Sequence, residues 1–145
     1  MISEEILNAI PHRPPFLYVD TIVQWLEDGI ICRKTFNSDE YFFAGHYPDF
    51  PLVPGVILCE SAMQAGAIYL SRLIQNESDG KKRVPVATRI NEVKFKRMVR
   101  PGDTVEMEIR LKEKLANAYF LSACVSVDGK NAVRFEFACA LNEVE

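Results

Sequence analysis

The sequence predicts an α+β fold in which an antiparallel sheet of about five or six strands packs on one long central helix. Three observations lead there. From Val56 to Ile74 the residues are helix-compatible and apolar on nearly every face, so that helix should be surrounded by protein. Val105, Met107, Ile109 and Leu111 alternate with Glu106, Glu108 and Arg110, and Val133, Phe135, Phe137, Cys139 and Leu141 repeat the pattern. A period of two marks a strand with one buried face. Finally, the turns Pro101-Gly102-Asp103 and Asp128-Gly129-Lys130 are short enough to make the strands they join antiparallel.

The elements follow in order. EEILNAI, residues 4–10, has the spacing of a short amphipathic helix ended by Pro11. FLYVDTIVQW is apolar, β-branched and aromatic and reads as a strand. Glu27-Asp28-Gly29 turns it into a second strand, IICRKTF. The proline-rich stretch 37–55 is irregular, and Pro54-Gly55 stand where the apolar helix begins. NESDGKKR is a polar loop, and everything beyond it is β. A single sheet covers one side of such a helix, so the other side asks for a partner, most simply through a symmetric dimer.

With 145 residues the chain suits a single domain, residues 1–145. Its composition, 48% hydrophobic and 26% charged, excludes a disordered or disulfide-scaffold chain. The net charge of −3 argues against a nucleic-acid binder. The N-terminus carries two early acids and no apolar run, unlike a secretory or transit segment. The run Leu52–Leu70 has membrane-like length but contains Pro54, Gly55, Glu60, Ser61 and Gln64, which a bilayer would not tolerate cheaply. Cys32, Cys59, Cys124 and Cys139 show no paired or metal-type spacing and read as reduced thiols of a cytoplasmic protein. Two histidines without HxH or HxxxH spacing argue against a catalytic metal. One asymmetry stands out. Residues 81–100 hold eight basic side chains, from Lys81 to Arg100, against the single acid Glu92, a net of +7 in a chain that sums to −3.

Few residues can do chemistry. Glu60 lies on the apolar helix with Val56, Ile57, Met63 and Gln64 as its helical neighbours. Desolvation favours the protonated form of a buried carboxylate, as a general acid requires; a structural Glu bonded to backbone or to Gln64 is the alternative. His46 sits in GHYPDFP, a proline-braced loop of the kind that often presents catalytic groups. His12, in PHRPP, reads as a packing residue. Pro54-Gly55-Val56 opens the helix, where free amides and the dipole suit an oxyanion, or form an ordinary helix start. Cys59 has no cation near it in sequence and reads as core. GxSxG and glycine-rich phosphate loops are absent from the sequence.

At GHYPDFPLVPGVILCESAMQ the chain closely resembles the bacterial 3-hydroxyacyl-acyl carrier protein dehydratases of type II fatty acid synthesis. PHRPPFLYVD resembles the family's N-terminal signature, and VKFKRMVRPGD its basic strand, so the likeness spans residues 11–103. The resemblance implies the hot-dog fold, a long helix wrapped by an antiparallel sheet. It implies His46 as the catalytic histidine and Glu60 as the catalytic glutamate given by the other subunit of a homodimer. It also implies that the Gly55 amide holds the thioester carbonyl, Gln64 stands near the glutamate, and Phe95 lines the acyl tunnel. Dimers would assemble further into a hexamer. Elimination of water involves no electron transfer, so no cofactor is expected.

The chain departs from the pattern at Pro14, Thr21, Tyr47, Cys59, Ser61, Gly66 and Met98, none of which is a matched catalytic position. Glu60 rather than Asp is similar to the subgroup without committed isomerase activity. Acyl carrier protein is acidic, so the basic segment becomes a docking band, with Lys94, Lys96, Arg97 and Arg100 as its contacts; the alternation of Arg89, Lys94, Lys96 and Arg100 also fits a merely solvated strand face. Two other readings stay open: a hot-dog acyl thioesterase with Glu60 as base, and a non-catalytic acyl-binding subunit of a heteromeric dehydratase.

Overall fold

The structure is a computed structural model and describes residues 2–76 and 82–143. Lys81 and most of the polar loop NESDGKKR fall outside the described residues. The elements are α1 (Glu4–Ala9), β1 (Thr21–Leu26), β2 (Gly29–Thr35), a 3-10 turn (Tyr41–Ala44), α2 (Gly55–Asn76), β3 (Arg83–Phe95), β4 (Thr104–Leu115), β5 (Ala118–Val127) and β6 (Lys130–Glu143). The six strands form one sheet in the order β1-β2-β4-β5-β6-β3, and each neighbouring pair is antiparallel.

Period-two patterning sets the core. Val105, Met107 and Ile109 of β4 and Val133, Phe135, Phe137 and Cys139 of β6 are buried, while Glu108 and Arg134 are exposed. α2 lies against this inner face, with Leu58, Ala62, Ala65, Ile68 and Leu70 almost wholly buried. Gly66 is the point of closest approach, since a Cβ there would stand 2.7 Å from Cζ of Phe137. At the β1–β2 turn a Cβ on Gly29 would lie 1.9 Å from the Ile109 carbonyl oxygen, so only glycine fits.

Three expectations need correction. Pro101-Gly102-Asp103 does not join neighbouring strands, because β3 and β4 lie apart in the sheet. The turn instead ends a crossover: Lys96 N–H bonds the Ala132 carbonyl (2.7 Å), Val99 C=O accepts from Val53 (2.8 Å), and Gly102 N–H bonds the Phe36 carbonyl (2.6 Å). Gly102, at φ 91°, supplies the left-handed residue of that turn. A turn sequence specifies a local reversal; it does not say which strand comes next in the sheet.

The strand expected from Phe16 starts only at Thr21. Residues 16–18 lie over α2, and side chains of that helix satisfy their backbone. Tyr18 N–H donates to Gln64 Oε1 (2.7 Å), Ser61 Oγ donates to the Tyr18 carbonyl (2.6 Å), and Gln64 Nε2 donates to the Phe16 carbonyl (3.0 Å). Two polar residues three apart on one helix face thus replace a strand partner.

The third correction concerns α2, whose second side is largely covered by α1 and residues 10–19 of its own chain. Apolar surface left open lies elsewhere. β3 is an edge strand exposing Val86, Ile90, Val93 and Phe95, with Met98 just beyond it, and Val56 in the first turn of α2 is 73% exposed. No helix among the described residues is long and apolar enough to cross a membrane.

Candidate active site

His46 follows the 3-10 turn and is fixed by backbone on both sides. Its N–H bonds the Phe42 carbonyl (3.0 Å), and its C=O accepts from Leu52 (2.9 Å). The 3-10 turn is itself anchored. Lys34, only 6% exposed, lies 3.0 Å from Glu40 at the head of that turn and 3.6 Å from Asp20, whose other oxygen accepts from Thr35 N–H. The hydroxyls of Tyr18 and Tyr41 share a 2.6 Å bond. Burial first, then that bond, push the Tyr18 phenol far above its usual range, so it stays protonated.

The imidazole orientation follows from one contact. His46 Nδ1 lies 3.0 Å from the Leu52 carbonyl oxygen, which can only accept, so Nδ1 carries the hydrogen and Nε2 keeps its lone pair. The ring stacks on Tyr47 with centroids 4.2 Å apart. It borders a cavity of about 400 Å³ lined also by Gly55, Val56, Phe95, Arg97 and Met98. The histidine therefore borders a largely apolar cavity beside a helix N-terminus, where the first amides have no intrahelical partner. A Cβ at Gly55 would meet Cε1 of Phe95 at 2.6 Å, so glycine lets that ring lie directly on the helix start.

The structure brings His46, Gly55 and Phe95 to this one cavity. Glu60 and Gln64 are not among its lining residues; they belong to the face of α2 under residues 12–18. Glu60 is not sealed in apolar surroundings: its side chain keeps 25% exposure, and Oε2 accepts from Gln64 Nε2 at 3.0 Å. His12 Nε2 approaches the same oxygen at 3.8 Å. Nothing in the sequence pointed to this approach, since 48 residues separate the two and no local period links them.

The docking set divides. Lys94 and Lys96 border a polar groove on the outer sheet face, with Arg110, Lys112 and Arg134, whereas Arg97 lines the His46 cavity. Arg100 stands over the Phe50 ring at 5.2 Å. Side chains two apart on a strand share a face, and the strand ends at Phe95, so the cationic run splits there. Burial raises the Cys59 thiol, which agrees with its reading as core. Among the described residues no group of three or more His, Cys, Asp or Glu side chains is placed to hold a metal.

Six antiparallel strands wrapped on one long helix, with a histidine loop braced against the helix start, define a hot-dog protein. Solved structures share the fold. The dehydratase heterocomplex ApeI:P from Xenorhabdus doucetiae matches with a TM-score of 0.77 and 13% identity over 94% of this chain and 90% of that one. A mutant of the thioesterase PA1618 from Pseudomonas aeruginosa matches with a TM-score of 0.66 and 14% identity over 85% and 81% of the respective chains. At those identities only the fold is shared evidence, and it hosts both chemistries. Sequence is more specific. The 3-hydroxyacyl-acyl-carrier-protein dehydratase FabZ of Clostridium perfringens (strain SM101 / Type A) is 38% identical over 141 residues, covering 97% of this chain and 99% of that protein. A model of the FabA-like domain family matches residues 10–136, and the chain belongs to that family.

Proposed function

We propose that the protein dehydrates 3-hydroxyacyl thioesters borne by acyl carrier protein, giving trans-2-enoyl thioesters and water in fatty acid biosynthesis. The observation that carries this reading is the His46 imidazole, which keeps Nδ1 on the Leu52 carbonyl and leaves Nε2 as the base beside Gly55. Nε2 removes a proton from the carbon next to the thioester carbonyl. Negative charge develops on the carbonyl oxygen, where the Gly55 amide and the positive end of α2 stabilise it. Glu60 transfers a proton to the 3-hydroxyl, the carbon–oxygen bond breaks, and water leaves. His46 ends protonated and Glu60 ends as a carboxylate, and a proton moving between them through water restores the start. No electrons are exchanged and no cofactor takes part.

The glutamate in each site is the partner subunit's Glu60. Two features support this: Glu60 does not line its own chain's His46 cavity, and β3 offers an unpaired apolar edge to a second copy. Phe95, Val56 and Met98 would then wall a tunnel for the acyl chain. Dimers assembling into a hexamer, a single domain over 1–145 and a cytoplasmic location complete the reading. Arg97 at the cavity and Arg100 over Phe50 are the nearer contacts for the acidic carrier protein, with Lys94 and Lys96 meeting it from the outer sheet face.

The test follows absorbance of the conjugated enoyl product against release of free thiol. Enoyl formation without thiol release is expected, and His46→Ala should lose at least about 100-fold. Thiol release without enoyl product would instead identify a thioesterase.

A further inference from the structure

His12 has no assigned part in this chemistry, yet three observations single it out. Its Nε2 faces Glu60 Oε2 at 3.8 Å, and its Nδ1 is buried without a hydrogen-bond partner. Among the described residues the Glu60 carboxylate is the polar group seen to face its ring. The segment that carries it is also tied down at both ends. Arg13 donates to the carbonyls of Leu7, Ile10 and His12 itself, and Gln64 holds Phe16 and Tyr18. Lastly, the oxygen facing His12 is the one that already accepts from Gln64.

A carboxyl oxygen that accepts N–H bonds is a poor place for its own proton, because the proton would displace a donor. An N–H on Nδ1 would be buried unsatisfied, which favours the tautomer carrying hydrogen on Nε2, aimed at the carboxylate. At 3.8 Å the pair is longer than a hydrogen bond, a separation that can close when substrate and partner fill the site.

We propose that His12 is a positioning residue for Glu60: together with Gln64 it holds Oε2, leaving Oε1 as the oxygen that delivers the proton to the departing hydroxyl. This rests on the reading of Glu60 as general acid.

The experiment measures kcat and KM on a 3-hydroxybutyryl thioester of N-acetylcysteamine for wild type, His12→Ala, His12→Gln and Glu60→Gln, with a thermal melt of each. Removing a positioning contact made to the acid should lower kcat of His12→Ala about 10- to 100-fold while KM stays within about twofold. His12→Gln, whose amide N–H reaches the same region, should recover to within about fivefold of wild type. Wild-type kcat in His12→Ala with an inactive Glu60→Gln would overturn the His12 role alone. So would a loss that glutamine fails to restore, or one carried by KM, since either marks a packing contact. Full activity in Glu60→Gln would instead remove the acid assignment on which the proposal stands.

Discussion

Replacing Gln64 by methionine keeps the volume and flexibility of the side chain and deletes its polar end, which makes three bonds at once. Their losses are unequal. Tyr18 is wholly buried, so its N–H has no water to turn to, and an orphaned buried donor costs about 1–3 kcal/mol. Phe16 is 46% exposed, and solvent can take over its carbonyl at little cost. Glu60 keeps access to water as well. The sum is dominated by one amide and comes to about 2–3 kcal/mol, a sizeable part of the usual 5–15 kcal/mol for a folded protein. For a chain of this size that corresponds to a melting temperature lower by about 4–12 °C. The melt should be recorded at one fixed protein concentration, because an oligomer's apparent stability varies with it. Gln64→Glu is the control. One of its oxygens can accept from Tyr18, but the other faces the Phe16 carbonyl and Glu60, so it should be less stable at pH 8 than at pH 5. If Gln64→Met melted within about 1 °C of wild type, the idea that Gln64 substitutes for a strand partner would be wrong.

Three further outcomes are expected. Gly66→Ala sets a methyl group against Phe137, which is 1% exposed and cannot swing away, so overpacking should cost about 1–3 kcal/mol despite the better helix propensity, with Phe137→Leu relieving it in a urea titration. Burial pushes the Cys32 thiol up to about 12 and Cys139 to about 11 from an ordinary 9.0, so their contribution is complete below pH 9 and fades as pH rises, by about 1.4 kcal/mol per pH unit for each thiol until its folded value is reached; Cys32→Ala should flatten that alkaline limb in melts between pH 8.5 and 11. Charge reversal at Arg97 should raise KM for carrier-protein substrates while sparing small thioesters, and more so than reversal at Lys94, which borders the outer groove; equal effects on both substrate types would end the docking interpretation.

The sheet and the helix were legible because each obeys a period that its own residues display. β4 buries Val105, Met107 and Ile109 and β6 buries Val133, Phe135, Phe137 and Cys139 as expected, while Leu111 and Leu141 are half-buried. α2 runs one residue earlier and two later than the apolar stretch implies. Segment 16–20 was misread for a physical reason. Its composition suits a strand, but the backbone of Phe16 and Tyr18 is bonded by Ser61 and Gln64, and side-chain donors and acceptors on a distant helix leave no trace in local pattern. The place of β3 was hidden likewise, since edge position is a property of the whole sheet.

The halves of the candidate site differ in the same way. His46, Gly55 and the loop between them are close in sequence, so proline bracing and a helix start brought them together in the reading as they are together in space. Glu60 and His12 meet only because the chain doubles back over α2. The difference bears on what each part can tolerate. His46 depends on short-range backbone bonds to Phe42 and Leu52, and it can survive changes elsewhere in the sheet. Glu60 depends on Gln64, His12 and the segment that Arg13 ties down, so a change there reaches the proposed acid directly. Tyr18, bonded to Tyr41 of the turn before His46, touches both halves. Losses confined to the proposed proton delivery should therefore arise from positions 12, 13 and 64, losses of the proposed base from positions 34–52, and losses of both from Tyr18.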